Sequence, residues 1–494
     1  MSDRPKITRR QASKLILGAA GALLTRDTLA QSEQVLADRR FAPLQKEIAG
    51  RVVKKGDPLY QDVRGAMVWN KRVSKVRSPD AIVQVASAQD VATAVRFARK
   101  SGLKVAVRGG GHNYHGAVLR NGGILLDLGR LNATDIDGQE RRASVGPAVK
   151  GGELIAALAP HGLAFPVGHC SDVRLSGYLL NGGLGWNFGA WGPACMSVRG
   201  MEMVTASGDI LYADAGHHAD LFWAARGAGP GFFAVVTRYD LALYTMPQAI
   251  RSYSVNFEFE SMPIVASWVD EAIRSVHPTV EVDCTLGPID ASEKLAIGIS
   301  AAAFASSQEE AVGRLGALRN LPSGAKLIGP STDQPASFRE LQQLTDTGFP
   351  GGKRMFGDVH FSDATVGKLL REVQHLAANA PSPPSVIVAA SMGGGAKLST
   401  DGKGGAYSVD GARFFGAYAF WDDPAQDRIA RAWVRSVMRA AEPLSTGSYV
   451  GEADLSRSPN LARNCFSAEA WARLVSLKQK YDPDNLFYSY LTER

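Results

Sequence analysis

Two separated, glycine-bounded stretches carry the residues with the clearest chemical potential. The first is Arg108-Gly109-Gly110-Gly111-His112-Asn113-Tyr114-His115-Gly116. Consecutive glycine N–H groups form a nest for pyrophosphate, because any Cβ there would hold the backbone away from the phosphates. His112 ends this loop, within reach of a bound molecule, although a single histidine in such a place is more often a hydrogen-bonded structural residue. The loop also invites comparison with a dinucleotide fingerprint completed by Asp127. That comparison fails, because Asn121-Gly122-Gly123 and a resumed strand follow where a phosphate-binding helix should begin. The second stretch, Pro166 to Trp186, holds Cys170, Val173 and Gly177 before an Asn181-Gly182-Gly183-Leu184-Gly185 turn. Its cysteine is reactive only as a thiolate.

The elements around these stretches read as follows. A short β-like run, Ala81 to Val85, precedes a helix over 89–101 with Val91, Ala94, Val95 and Ala98 at helical spacing. Strands at 104–108 and 123–128 flank the first glycine loop, and a further strand at 143–145 precedes a helix at 151–160. Met201 to Thr205 and Asp209 to Tyr212 read as a hairpin around Ser207-Gly208. A strand over 233–243 ends this region. From about residue 248 the texture changes to long alternating strands, such as 251–259, and amphipathic helices at 307–319 and 364–378. A helix over 468–480 closes the chain, and the Gly/Lys-rich segment 393–405 reads as a mobile loop.

With 494 residues the chain exceeds a single core, so two packed domains are expected. The formal charge of +7 is concentrated at the front. Six basic and two acidic residues lie in the first thirty, which leaves 49 against 46, a net +3, in the remainder. No basic stripe interleaves with aromatics, so nucleic-acid binding is not expected. The four cysteines are scattered without a CxxC pair, so neither a zinc site nor a disulfide framework is expected, and no metal ligands are assigned. At the N terminus, Thr8-Arg9-Arg10-Gln11-Ala12-Ser13-Lys14 precedes a weakly apolar run from Leu15 to Leu24. The run is too short to span a bilayer, so stable membrane insertion is not expected. The pattern fits a twin-arginine signal over residues 1–30, with Thr28-Leu29-Ala30 before the cleavage point. A periplasmic or secreted protein, exported folded by the twin-arginine translocase, is therefore expected.

Taken in series, these motifs resemble the berberine bridge enzyme-like FAD-linked oxidases, which share the p-cresol methylhydroxylase (PCMH) type of FAD-binding fold. Residues 108–116 are similar to the family's R-S-G-G-H-x-x-x-G loop, and 168–185 to its G-x-C-P-T-V-G-x-G-G segment and following G-G-x-G turn. Asn181 to Gly185 resembles the bacterial 6-hydroxynicotine oxidase branch in particular. Asp220 to Gly229 and Lys480 to Phe487 are similar to the family's D-L-F-W-A-x-R-G-G-G and K-x-Y-D-P-x-N-L-F. The fold class implied is α+β: a two-part FAD-binding domain over 31–247 (core about 74–246), a substrate domain over 248–445 with an antiparallel sheet covered by helices, and a C-terminal segment, 446–494, returning to the FAD domain.

The resemblance implies one FAD, bonded covalently through His112 at the flavin 8α methyl and through Cys170 at flavin C6. Arg174 and His169, close in sequence, would supply a cationic neighbourhood favouring the Cys170 thiolate. Cofactor-binding positions would be Arg108, Gly109, Gly110, Gly111, His112, Asn113, Gly116, Cys170, Val173, Gly177, Asn181, Gly182, Gly183 and Gly185. Val173 falls where family members gate oxygen, which points to O2 as electron acceptor. The family's Y-x-N-Y-x-D segment appears here as Tyr449 to Asp454, making Tyr449 the preferred base and Glu452 the second choice. Tyr407 and Tyr418 are placed near the pocket by position only. The expected activity is oxidation of a small alcohol, sugar hydroxyl, amine or phenolic compound. A dehydrogenase serving a quinone or cytochrome, and a flavin-retaining binding protein, are the alternatives.

Overall fold

The computed structural model describes residues 40–73, 77–288, 294–393, 402–455 and 459–491. The expected signal segment, and most of the stretch expected to be a mobile loop, lie outside the described residues. Three of the four sheets among the described residues organise the fold. A four-stranded sheet runs in the order Arg51–Lys54, Ala81–Gln84, Ile124–Asp127, Val105–Arg108; the first pairing is antiparallel and the other two are parallel. A second sheet of five antiparallel strands contains the expected hairpin, as Val198–Val204 against Ile210–Asp214, and Val235–Ala242 beside it. The third sheet has eight antiparallel strands and is built almost wholly from residues 249–447.

The first parallel unit shows why the glycine loop is where it is. Helix Ala88–Lys100 starts at Ser87, whose hydroxyl accepts from the Asp90 N–H, and it buries Val91, Ala94, Val95 and Ala98. This helix returns the chain so that Val105–Arg108 lies parallel to Ile124–Asp127. The strand ends at Arg108, whose buried guanidinium bonds Asp127 at 2.9 Å and also the Met67, Ala66 and Gly110 carbonyls. The loop therefore leaves the sheet edge from a fixed base. The strand Arg51–Lys54 extends the four-stranded sheet to residues before the expected core at 74.

In the eight-stranded sheet one face packs on helices Met262–Ser275, Val366–Ala377 and Asp427–Ala441, which bury Val265, Val269, Leu370, Val373 and Val434. The expected helix 307–319 is split into Gln308–Arg314 and Gly316–Arg319, a break consistent with the poor helix propensity of Gly313 and Gly316. The sheet also takes an edge strand, Ser445–Gly447, paired with Arg354–Ser362, which crosses the expected boundary at 445. No helix among the described residues is long and apolar enough to cross a membrane.

The tail then returns to the first domain. Helix Ala468–Tyr481 ends at the buried Asp482, which pairs with Lys478 at 2.9 Å and accepts from the Leu486 and Phe487 N–H groups. The Val105 N–H donates to the Leu486 carbonyl, and Tyr488 donates back to Val105, which locks the tail onto the strand below the glycine loop. Asp482→Ala strands a buried ammonium and two backbone donors. We expect it to lower unfolding free energy by about 3–5 kcal/mol, seen as a lower midpoint in urea unfolding.

Candidate active site

The open face of the eight-stranded sheet, the glycine loop, the 166–186 segment and the 449–452 turn enclose one cavity of about 560 Å³. It is within the ordinary range for a small-molecule or cofactor site. Two contacts show how closely the loops meet. A Cβ on Gly109 would lie 1.4 Å from Ser176 Oγ, and one on Gly111, at φ +74°, would lie 2.0 Å from the Met67 carbonyl oxygen. Only glycine fits at either position. Arg174 reaches across and donates to the Gly109 carbonyl at 2.9 Å, tying the two stretches together.

His112 lines the cavity. Its ring stacks on Trp69, with centroids 5.0 Å apart and 22° between planes, and its Nε2 lies 3.1 Å from the Asp172 carboxylate. Asp172 is held below the usual carboxylate range, chiefly by that hydrogen bond. Cys170 opens onto the same cavity, but the expected cationic neighbourhood is absent. Arg174 is turned to Gly109, and His169 is paired with Glu281 at 3.0 Å. Burial pushes the thiol upward, and Asp346, Asp172 and Glu452 push it further. Adjacency in sequence misled here, because alternate residues of an extended loop face different walls. The loop itself is clasped by helix Phe338–Gly348: Ser171 bonds Asp346 through both its N–H and hydroxyl, and Gln342 bonds the Gly168 carbonyl.

Glu452 and Tyr449 both line the cavity. Tyr449 is buried; burial and the nearby Glu452 drive the phenol far upward, with the Gly183 and Leu184 backbone opposing. Glu452 accepts a 2.7 Å hydrogen bond from the Tyr418 hydroxyl. Burial raises its carboxyl, opposed by the Tyr418 hydrogen bond and by the neighbouring His112 and His169. Of the two tyrosines placed by position, Tyr418 lines the cavity, whereas Tyr407 packs against Gly182 outside it.

The remaining expected positions divide. Gly109, Gly110, Gly111, Asn113, Val173, Gly177 and Asn181 line the cavity. Arg108, Gly116, Gly182, Gly183 and Gly185 do not, and their contacts are structural. Arg108 anchors the strand end, Gly116 packs on Val73, Gly182 on Tyr407, and Gly183 and Gly185 on Tyr178. Asn113 doubles as a clasp, donating to the Gly451 carbonyl at 2.9 Å. Sequence reasoning missed Trp69, Asp172, Glu281 and Asp283. The last two share one face of strand Val280–Pro288, a period-2 signal visible in Glu281-Val282-Asp283 but carrying no chemistry without the cavity.

The lining fits a flavin on two physical grounds. Glycines 109–111 expose bare backbone along the cavity while packing too tightly against Ser176, Arg174 and Met67 to carry a side chain, and Ser176 Oγ and Asn181 Oδ1 are buried polar atoms at the cavity wall with no hydrogen-bond partner among the described residues. The comparisons agree with this. Residues 79–214 match the model of an FAD binding domain, and 448–491 match the model described as berberine and berberine like. The FAD-linked oxidoreductase nodO of Hypoxylon pulicicidum is 29% identical over 435 residues, covering 86% of this chain and 93% of that protein. The (R)-6-hydroxynicotine oxidase of Paenarthrobacter nicotinovorans is 38% identical over 209 residues, 42% of this chain and 45% of that enzyme. The solved 6-hydroxy-D-nicotine oxidase of Arthrobacter nicotinovorans superposes with a TM-score of 0.78 at 25% identity, over 91% of this chain and 98% of that one. Fold and cavity thus define an FAD-dependent oxidoreductase of the PCMH type. Both the FAD-binding domain and the berberine-like C-terminal segment of berberine bridge enzyme-like FAD-linked oxidoreductases are present in this chain.

One electrostatic consequence is measurable without cofactor or substrate. Asp283 faces the cavity and its carboxyl is raised to about 6, first by burial and then by Glu281, with His169 opposing. A carboxyl raised in the folded state stabilises the fold below its unfolded value and loses that contribution as pH rises through about 6. Relative to wild type, Asp283→Asn should therefore gain up to about 3 kcal/mol of unfolding free energy between pH 4 and pH 7. Parallel denaturant titrations would show the two stability curves converging at low pH; curves that stay parallel would contradict it.

Proposed function

We propose that this protein is an exported oxidase carrying one FAD, bonded to His112 and then to Cys170. The observation that carries the reading is the placement of His112, Cys170 and Glu452 on one cavity wall system, with Glu452 hydrogen-bonded to Tyr418. The order of the two bonds follows from the thiol, which burial and three carboxylates keep protonated before a flavin is in place. When bound, FAD supplies the hydride acceptor and the electron route to dioxygen.

The chain's own residues do the rest. A small alcohol, sugar hydroxyl, amine or phenolic substrate enters between the open sheet face and the glycine loop. Glu452, rather than Tyr449, takes the O–H or N–H proton at its carboxylate, because its raised pKa brings it toward neutral pH while the Tyr449 phenol is driven out of reach. Tyr418 holds the carboxylate in place. Val173 lines the cavity where a small side chain leaves room for oxygen. Export in the folded, cofactor-loaded state by the twin-arginine translocase is supported by Arg9-Arg10 and the apolar run after them.

The test is a substrate screen by flavin bleaching under anaerobic conditions, followed by admission of air. An oxidase recovers its colour with one peroxide per substrate consumed; colour that returns only with a quinone or cytochrome makes the enzyme a dehydrogenase. Glu452→Gln should slow anaerobic flavin reduction about 10²–10⁴-fold, and Tyr449→Phe much less. The reverse order would return the proton to Tyr449.

A further inference from the structure

The structure assigns Asp172 the task of orienting His112 and reserving its Nδ1 as the nucleophile that bonds the flavin. This rests on the reading that His112 is an attachment point. Three contacts fix the ring: Trp69 stacks on its plane, Tyr114 leans on it at 6.2 Å, and Asp172 Oδ1 holds Nε2 at 3.1 Å. No described residue hydrogen-bonds Nδ1. A carboxylate accepts only a proton-bearing nitrogen, so the pairing selects the tautomer with hydrogen on Nε2 and a lone pair on Nδ1. Asp172 comes from the Cys170 loop and His112 from the glycine loop, so the nucleophile is prepared only when both loops have folded together.

The step balances as follows. Nδ1 donates its lone pair to the 8α carbon of the flavin. One 8α C–H bond breaks; its electron pair reduces the ring system, which also takes up the proton. The proton on Nε2 stays in the hydrogen bond to Asp172, whose negative charge balances the new imidazolium. Dioxygen then removes the two electrons, with the ring proton and one from solvent, and leaves as hydrogen peroxide. Asp172 acts through His112 and is a positioning residue, comparable to the partners that orient a ligating imidazole and are worth about 10–100-fold when removed.

The experiment is intact mass after denaturation, on full-length protein incubated with FAD in air, in a Cys170→Ala background that leaves His112 as the only attachment point. Cys170→Ala alone should carry the mass of one FAD. Adding Asp172→Asn should leave the native protein yellow but slow the mass gain at least about tenfold, and Asp172→Glu should restore much of the rate. Attachment in the Asn variant as fast as in Cys170→Ala overturns the proposal. So does loss of all flavin, before denaturation, in both the Asn and Glu variants, which would make Asp172 a clasp between loops. Absence of FAD mass from Cys170→Ala itself, when wild type carries it, refutes attachment at His112 instead.

Discussion

The site depends on backbone meeting side chain where no second side chain fits. Gly109 sits so close to Ser176 that a single methyl would overlap the hydroxyl, and Gly111 lies as close to the Met67 carbonyl. The first approach brings a loop from a parallel sheet against a segment more than sixty residues later, the second seats it on a turn some forty residues earlier, and together they set the spacing of His112 from Asp172 and Cys170. The Arg174–Gly109 bond and the His112–Asp172 pair then fasten the loops on either side of that approach. Without the glycines the cavity would lose its wall.

A second constraint is topological. The domain of the eight-stranded sheet does more than roof the cavity. Its helix Phe338–Gly348 holds the cysteine loop through Gln342 and Asp346, and its strand Val280–Pro288 holds His169 through Glu281. The tail returns beneath the glycine loop through Val105, and its 449–452 turn receives Asn113. Three separate segments therefore converge on one volume, and each depends on the others for its position. The shared electrostatics follow: Glu452, Asp283 and Glu281 are packed with His112 and His169, so burial costs and charge partners oppose one another across the cavity.

Much of this was legible in the chain. The hydrophobic spacing of Val91, Ala94, Val95 and Ala98 placed the first helix, and the missing helix after Gly111 excluded a Rossmann arrangement. Serial motifs located His112, Cys170 and the 449–452 turn. What was not legible depended on the third dimension. Arg174 and His169 neighbour Cys170 in sequence but turn to Gly109 and Glu281, so the thiol faces carboxylates instead of cations. Arg108, in the middle of a cofactor motif, is consumed by Asp127 and three carbonyls. Trp69 is one tryptophan among eight, and only packing reveals that it stacks on His112. The expected preference for Tyr449 over Glu452 as base rested on motif position alone, and the proposed reversal rests on burial of the phenol and on the Tyr418 hydroxyl.

The most direct test of the convergent cavity is the visible spectrum and flavin content of the purified full-length chain. The structure predicts a yellow protein with one FAD per chain, and Gly109→Val should yield folded protein with little or none. A chain that is colourless as isolated, remains so when FAD is supplied during production, and unfolds cooperatively all the same would contradict the account.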